Sequence, residues 1–342
     1  MTAQPVAAPA AGARSAAWAP PDLRRWLQLG LAAIWVLDGV LQYQSFMFTK
    51  AFGQMLARTA VGNPAFVAES ARWGAAIIER SPVPANAAFA TIQLAIGLGI
   101  AWRPAVRFAL AGSVVWAVAV WWFGEGLGGV LNGTASPVNG APGAVILYAL
   151  LAIVIWPSAA GPGRAAGDDP GPFVAARPLG AAAARGLWVV LWGSLAYFSV
   201  TAASRAAQGL HDMIAGMAAG EPPWLASVDR GAAGVLAGHG LAVSIALAAV
   251  LAAVAAGMLV PARLARPASP ARRASRDWPA RGARAAVVLA VAVSLVIWLV
   301  GQNLGQILAG GATDVNSGPL LVLIALAYWP LRPRRDATGE AP

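Results

Sequence analysis

Long apolar runs constrain this chain more than any other feature. Eight of them, separated by polar breaks, lie near residues 27–48, 85–102, 108–124, 142–157, 187–206, 239–260, 285–301 and 318–331. Several reach the length of about 17–25 residues with which a helix crosses the roughly 30 Å hydrocarbon core of a bilayer. Of the 342 residues, 58% are hydrophobic and 11% charged, whereas a soluble domain has about 25% charged residues. The pattern predicts an all-α, polytopic membrane helix bundle with eight transmembrane helices.

Missing residue types exclude several kinds of site. The chain contains no cysteine, and its two histidines, His211 and His239, lie outside the centres of the apolar runs. We therefore predict no metal site, no thiol redox couple and no bis-histidine haem in the chain itself. The net charge of +10 would suit nucleic acid, but arginines also collect on the cytoplasmic loops of membrane proteins. Membrane lipid is the predicted partner, and nucleic acid is not.

Basic residues predict the orientation. If the amino terminus is cytoplasmic, inner segments carry 18 of the 24 Lys and Arg residues and outer segments carry six. Because every inner segment contributes, we expect a multi-pass protein of the inner (plasma) membrane with both termini cytoplasmic. The predicted divisions are a disordered tail 1–25, a membrane unit 26–157, a linker 158–186, a membrane unit 187–331 with an arginine-rich inner loop 261–284, and a tail 332–342.

The two predicted membrane units resemble each other. Residues 121–142 and 298–319 share ten identical residues at a constant spacing of 177, and residues 62–72 match residues 220–230 at a spacing of 158. Both units end on Trp-Pro, at 156–157 and 329–330. Since each unit has four helices, an even number, the pattern predicts parallel repeats that enter the membrane from the same side.

The connection after the first helix predicts a further helix. Phe66, Trp73 and Ile77 stand at i, i+7 and i+11, on one helical face. This spacing predicts a short amphipathic helix over residues 66–78 that lies in the outer membrane interface. Such a helix is either a cap over the bundle or a gate for a substrate.

Six side chains of the first unit indicate one functional site. Trp35, Asp38 and Gln42 stand at i, i+3 and i+7 and share a face of the first helix. Ionisable groups inside membrane spans are costly and usually functional, so we predict a polar pocket that opens to the outside. The predicted catalytic residues are Asp38 and Glu125, and the predicted substrate-binding residues are Trp35, Gln42, Gln93 and Asn139.

Equivalent positions in the second unit are less polar. At the spacings above, Asp38 corresponds to Ala196 and Glu125 to Gln302. We therefore expect the site to belong to the first unit and the second unit to support it. Two structural alternatives stay open, namely Asp38 as an anchor between helices and Asn139 as a turn residue.

Three segments of the first unit are typical of a known family: WVLDGVLQ in the first helix, QLAIGLGIAWRPAVR across the second, and the closing WP. Together with the long outer connection, they resemble the DoxX/DoxD group of integral membrane proteins. This group includes the small membrane subunit of thiosulfate:quinone oxidoreductase. The resemblance implies two tandem DoxX-like four-helix units, a quinone as cofactor and a redox partner protein that supplies electrons.

Three functions are consistent with these features. The first is a quinone-linked membrane subunit of an oxidoreductase, in which Asp38 or Glu125 delivers protons. The second is a carrier or permease for a small polar or cationic solute. The third is a non-catalytic assembly or scaffold protein whose outer loops dock a partner. The sequence leaves open whether the chain takes part in catalysis.

The predicted orientation can be tested by cysteine labelling, because the natural chain has no cysteine. In intact cells, Thr134→Cys should react with a membrane-impermeant thiol reagent and Pro270→Cys should not. The reverse labelling pattern would overturn the orientation.

Overall fold

The computed structural model describes residues 22–157, 172–259 and 278–331. Within these ranges all regular structure is helical, which confirms the all-α prediction. The α-helices are α1 (Leu23–Leu41), α2 (Lys50–Arg58), α3 (Ala65–Arg80), α4 (Pro82–Ala101), α5 (Val106–Phe123), α6 (Ala144–Val154), α7 (Ala176–Leu179), α8 (Ala181–Phe198), α9 (Ala202–Arg205), α10 (Gly209–Met217), α11 (Pro223–Leu236), α12 (Gly240–Gly257), α13 (Trp278–Val296) and α14 (Ser317–Ala327). The predicted tail 332–342, most of the tail 1–25 and of the loop 261–284, and residues 158–171 of the linker lie outside the described residues.

In the described part of the chain, five helical segments are long and apolar enough to cross a membrane. They are Pro82–Ala101, Arg103–Phe123, Ala181–Phe198, Gly240–Gly257 and Arg281–Ala309. α6 and α14 are apolar but only 11 residues long, and α1 carries Arg24, Arg25 and Asp38. These helices assign the chain to the class of membrane proteins. Each of the eight predicted spans overlaps an α-helix, and the span near 187–206 overlaps both α8 and α9.

Three helix boundaries differ from the predicted ones. α1 ends at Leu41 instead of residue 48, and Gln44 Nε2 donates to the Leu41 carbonyl (2.9 Å) where the chain turns away. α8 begins at residue 181 instead of 187, and α13 begins at 278 instead of 285. Alanine and arginine favour helix without making a segment apolar enough for lipid. α8 and α13 therefore begin before the apolar runs by which they were predicted.

Glycine residues allow the helices of the first half to approach closely. α1 packs against α4, and α5 packs against α6. A Cβ atom built on Gly97 of α4 would lie 2.8 Å from Val36 Cγ2 and 2.9 Å from the Ala32 carbonyl oxygen, both on α1. Small residues at such crossings let two backbones make van der Waals contact, which is a main source of helix association in lipid.

Side chains at the start of α1 satisfy the carboxyl ends of two other helices. The Arg25 guanidinium donates to the carbonyl oxygens of Ile100 (3.0 Å) and Ala101 at the end of α4. Gln28 Nε2 donates to the Ile155 carbonyl (3.1 Å) at the end of α6. The last carbonyl groups of a helix have no partner within the helix, so these contacts stabilise two helix ends at once.

The second half uses the same helix pairings. α8 packs against α12, α12 against α13 and α13 against α14, in the way that α1, α4, α5 and α6 pack. The buried Trp188 indole donates to the Val254 carbonyl (2.8 Å), and the Tyr328 hydroxyl donates to the Ala184 carbonyl (2.8 Å). α14 also packs against α1 and α6, so the two halves share one apolar core.

The amphipathic helix predicted over residues 66–78 is part of α3. Its buried residues are mostly small: Val67, Ala68, Ala71, Ala75 and Ile78. Phe66, Trp73 and Ile77 are 56%, 62% and 43% exposed, and the rings of Phe66 and Trp73 pack against Trp122 and Phe123 at the end of α5. The predicted apolar face is therefore partly exposed and partly in contact with α5.

The crossing of α1 and α4 gives a stability prediction. Gly97→Ala should lower the free energy of unfolding by about 1–3 kcal/mol, because the new methyl group has no room and the core becomes overpacked. Gly193→Ala is the matched control, since a Cβ atom at Gly193 of α8 meets nothing within 4 Å and alanine favours helix. Thermal unfolding of the detergent-purified proteins measures both. Equal melting temperatures for the two variants would contradict the predicted crossing.

Candidate functional site

A cavity of about 830 Å³ lies among the helices of the first half. Its walls include all six residues that the sequence places in one site, Trp35, Asp38, Gln42, Gln93, Glu125 and Asn139. Most of the other lining side chains are apolar or aromatic, among them Phe52, Trp73, Phe89, Trp116 and Phe123. The structure therefore brings the six residues together, while their individual roles stay predictions.

Three helices fix the position of Asp38. Its side chain is 2% exposed, and the Tyr148 hydroxyl of α6 donates a hydrogen bond to Asp38 Oδ2. Trp35, one turn earlier on α1, stacks against Tyr148 with ring centroids 4.4 Å apart, and its indole N–H donates to Ser113 Oγ of α5 (2.9 Å). Asp38 Oδ1 makes no hydrogen bond. Asp38 thus joins α1 to α6, in agreement with the alternative that it is an anchor between helices. Its Oδ1 atom remains without a hydrogen bond beside the cavity.

The chain between α5 and α6 folds into the bundle because α6 is short. Eleven residues rise about 17 Å, roughly half the thickness of the hydrocarbon core. Gly126, Leu127, Gly128 and Gly129 all have positive φ, from 54° to 72°. The left-handed backbone of these residues favours glycine. It turns the chain back toward α6.

Glu125 stands at the start of this turn and closes the amino end of α6. Its carboxyl oxygens accept from the Val145 N–H at 3.2 Å and 3.4 Å. The Trp121 indole donates to the Pro142 carbonyl (2.7 Å) just before that helix. The first N–H groups of a helix have no partner within the helix and attract negative charge. Glu125 therefore has a structural role as well as access to the cavity.

The predicted amide side chains supply acceptors to the cavity. Gln42 Nε2 donates to the Thr313 carbonyl (3.4 Å), while the Oε1 atoms of Gln42 and Gln93 are buried and make no hydrogen bond. Asn139 lies in a short 3-10 turn, Pro137–Asn139, and borders the cavity. Asn316, its partner in the sequence repeat, caps α14 by accepting from the Ser317 N–H (2.7 Å). Asn316 therefore has a capping role, and the position of Asn139 in a turn agrees with the structural alternative for that residue.

The second half contributes to the site, contrary to the sequence expectation. Thr313, Asp314 and Asn316 line the cavity, because Gln44 Nε2 at the end of α1 donates to the Ala312 carbonyl (3.0 Å) and anchors this loop there. The Asp314 carboxylate accepts from Thr313 Oγ1 (2.8 Å) and from the Asn316 N–H (2.7 Å).

Sequence reasoning also missed Tyr148. An apolar run gives no sign of which neighbour a tyrosine faces. Only one sequence feature points to a role for Asp314, namely that this carboxyl residue lies inside the repeated segment 298–319.

Two carboxyl groups at the cavity, Glu125 after α5 and Asp314 before α14, have raised pKa values. Burial and the neighbouring Asp314 carboxyl raise the pKa of Glu125 to about 8, although the N–H groups of Val145 and Ala144 oppose the rise. Burial also raises the pKa of Asp314, against its hydrogen bonds with Thr313 and Asn316. At pH 7 most molecules therefore carry a proton on Glu125. Such a group can give a proton to a ligand and take one back.

Carboxyl groups outnumber basic groups on the polar side of the cavity. Carboxyl groups come from Asp38, Glu125 and Asp314, and none of them forms one of the ion pairs found in the described ranges. The exposed Arg58 borders the cavity, and Trp116 presents an indole N–H without a hydrogen bond. In the described residues no group of three His, Cys, Asp or Glu side chains could hold a metal ion. The arrangement is suited to a ligand with an apolar body and polar groups that accept or donate hydrogen bonds.

Comparison of the chain with models of known protein families, with curated proteins and with solved structures gives no match. The resemblance to the DoxX/DoxD group consequently rests on the sequence segments alone.

The raised pKa of Glu125 predicts how stability depends on pH. Folding favours the protonated carboxyl, so its contribution is complete below about pH 4.5 and is lost as the pH rises through about 8. Glu125→Gln keeps an acceptor for the Val145 N–H but cannot ionise. Its melting temperature should fall less than that of the natural protein between pH 5 and pH 9.

Glu69→Gln is the control for this measurement, because Glu69 is an exposed carboxyl on α3. It should leave the pH profile of the melting temperature unchanged. Identical profiles for Glu125→Gln and the natural protein would contradict the assignment.

Proposed function

We propose that the chain spans the plasma membrane eight times, as two parallel four-helix repeats with both termini cytoplasmic. The excess of arginine on the inner segments supports the orientation. The recurring helix pairings support the repeat. So does the backbone, since Leu127 and Gly128 are left-handed in the first half and Leu304 and Gly305 are left-handed at the matching positions of the second.

The two loops that follow α5 and α13 lie at the same end of the bundle, as parallel repeats require. Gln302 Nε2 donates to the Pro137 carbonyl (2.8 Å) and to Ser317 Oγ (2.6 Å). Gln302 Oε1 accepts from the Gly318 N–H (3.1 Å) at the start of α14. Gln302 thus closes the amino end of α14 as Glu125 closes that of α6. The stretches between these helices, 124–143 after α5 and 297–316 after α13, have the same length.

We propose that the cavity binds a quinone and that the chain is a quinone-linked membrane subunit of an oxidoreductase. The observation that carries the proposal is the combination of apolar, aromatic walls with buried oxygens that have no hydrogen-bond partner, namely Asp38 Oδ1, Gln42 Oε1 and Gln93 Oε1. An aromatic ring system fits such walls, and its two oxygens need partners that can donate or accept a proton. A quinone, when bound, takes up two electrons and two protons.

The residues of the chain would handle the protons. Glu125 holds a proton at its carboxyl group near neutral pH and can donate it to a ligand oxygen. Asp38 shares the Tyr148 hydroxyl proton through Oδ2 and leaves Oδ1 to accept from a ligand hydroxyl. Gln93 and Gln42 offer further acceptors. Electrons would come from a partner protein at the membrane, as the DoxX/DoxD resemblance implies.

A carrier for a small organic cation is the second candidate. The observation that favours it is the presence of three carboxyl groups beside aromatic rings such as Trp35 and Tyr148. A cation is attracted both by carboxylates and by the faces of aromatic rings. The two candidates differ in the ligand that the cavity retains, so a binding measurement separates them.

Substitution of Asp38 tests the proposal. Asp38→Asn keeps an oxygen for Tyr148 but removes the ionisable group, and Asp38→Leu removes both. We expect Asp38→Asn to fold normally and to bind a short-chain quinol at least about tenfold more weakly, since an amide N–H₂ in place of Oδ1 cannot accept from a quinol hydroxyl and a buried donor left unpaired costs about 1–3 kcal/mol. Asp38→Leu should also lower the melting temperature. Equilibrium dialysis of purified protein at pH 7 measures the binding.

Asp212→Asn is the matched control, because Asp212 is an exposed carboxyl beside His211 on α10. It should bind the quinol like the natural protein. If Asp38→Asn also binds normally while Asp38→Leu only loses stability, Asp38 is an anchor and the site assignment is wrong. Retention of an aromatic amine but no quinol or quinone would favour the carrier.

A further inference from the structure

Two buried indole N–H groups in the described residues make no hydrogen bond, those of Trp116 and Trp192. Other indoles of the described ranges donate to protein oxygens, namely those of Trp35, Trp121, Trp122, Trp188 and Trp298. An indole nitrogen can only donate, and a buried donor without an acceptor is costly. Of the two unpaired groups, only Trp116 borders the large cavity. Its N–H is therefore available to a ligand there.

Contacts between α4 and α5 fix the position of Trp116. A Cβ atom built on Gly99, near the end of α4, would lie 2.8 Å from Ala109 Cβ near the start of α5. Nearer the start of α4, the ring of Phe89 packs against Trp116 of α5 with centroids 5.5 Å apart. Gln93 lies one turn after Phe89 on the same face of α4 and also borders the cavity. Trp116 and Gln93 therefore border the cavity from two adjacent antiparallel helices.

The unpaired polar atoms at the cavity are of two complementary kinds. Asp38 Oδ1, Gln42 Oε1 and Gln93 Oε1 are buried acceptors without a donor, whereas Trp116 Nε1 is a buried donor without an acceptor. These four atoms do not pair with one another. A ligand that carries oxygen atoms in an apolar ring system can supply the acceptor that the indole needs. When such an oxygen carries a hydrogen, it can also donate to one of the three acceptors.

Trp116 has no indole counterpart in the second half of the chain. At the repeat spacing of 177 residues, it corresponds to Val293 of α13. Val293 is buried and belongs to the apolar core. An aliphatic side chain is therefore sufficient for helix packing at this position of the repeat, and the fold itself does not require an indole N–H there.

We propose that the Trp116 indole N–H donates a hydrogen bond to a carbonyl oxygen of the quinone in the large cavity, an inference that rests on the proposed function. The oxidised ring of a quinone has two carbonyl oxygens and no polar hydrogen, so the unpaired oxygens of Asp38, Gln42 and Gln93 cannot bond to it. Trp116 supplies a donor that, unlike the carboxyl group of Glu125, does not depend on pH. The cavity thus holds the oxidised ring through Trp116 and gains contacts with the unpaired oxygens when the ring carries hydroxyl groups.

Equilibrium dialysis of the full chain in detergent against a short-chain quinone tests the proposal. Trp116→Phe keeps an aromatic ring beside Phe89 and removes the N–H. We expect it to bind the oxidised quinone about three- to tenfold more weakly than the natural protein, the effect of losing one neutral hydrogen bond. The quinol should lose less affinity, because its hydroxyl hydrogens keep their contacts with the unpaired oxygens.

Trp192→Phe is the matched control. It also removes a buried indole N–H without a partner, but Trp192 does not border the cavity. This variant should bind the quinone and the quinol like the natural protein. A loss of affinity in both variants would contradict the proposal, because the loss would then follow from the smaller ring and not from a contact with the ligand.

Indole resonances in proton–nitrogen correlation spectra give a second readout, which a purely structural role of Trp116 would not move. The resonance that is absent from Trp116→Phe, or from Trp116→Tyr if the first variant does not fold, identifies Trp116. Addition of the quinone to the natural protein should shift this proton to lower field, whereas the Trp192 resonance should stay in place.

The outcomes separate this inference from the proposed function. If the natural protein binds the quinone, but Trp116→Phe binds it equally well or the Trp116 resonance does not move, the inference is overturned and the quinone site stands. If the natural protein binds neither quinone nor quinol, the proposed function fails and the inference fails with it. An aromatic amine that the natural protein and Trp116→Phe retain equally would make Trp116 a wall of the cavity only.

Discussion

Asp38 lies in an apolar interior, and its hydrogen bond with Tyr148 joins α1 to α6. A carboxyl group in such a place must share a proton or a charge with a neighbour, because burial without a partner is costly. Trp35 extends the connection to α5 through Ser113. Two polar contacts therefore link α1 to α6 and α5, and the cavity forms beside them.

The short fourth helix of each half explains why polar groups lie so deep. α6 and α14 have 11 residues each, too few to cross the hydrocarbon core alone. The preceding loops must enter the bundle, where every backbone N–H and carbonyl group needs a partner. Glu125 and Gln302 provide one at the start of α6 and α14. Of the two side chains, only that of Glu125 can ionise.

The two halves share the left-handed turns at Leu127 and Leu304 but differ in their polar groups. Two carboxyl groups of the first half, Asp38 and Glu125, line the large cavity, together with Asp314 of the second. The second half has Glu221 and Asp229 in the stretch between α8 and α12, at positions where the first half has Asn63 and Ala71. Gln302 makes the hydrogen bonds of a helix cap without carrying a charge, so the loop after α13 does not need a carboxyl group at the position that matches Glu125.

Periodicity and hydropathy were sufficient to predict the all-helical fold and the helices themselves, because lipid burial and helical spacing act along a single segment. They also placed Trp35, Asp38 and Gln42 on one face of α1. Tyr148 and Asp314 could not be found in this way, since they reach Asp38 and Glu125 from positions far apart in the chain. Such contacts depend on how helices are rotated and shifted against each other. That register is set by packing, as at Gly97 and Val36, and only the tertiary structure contains it.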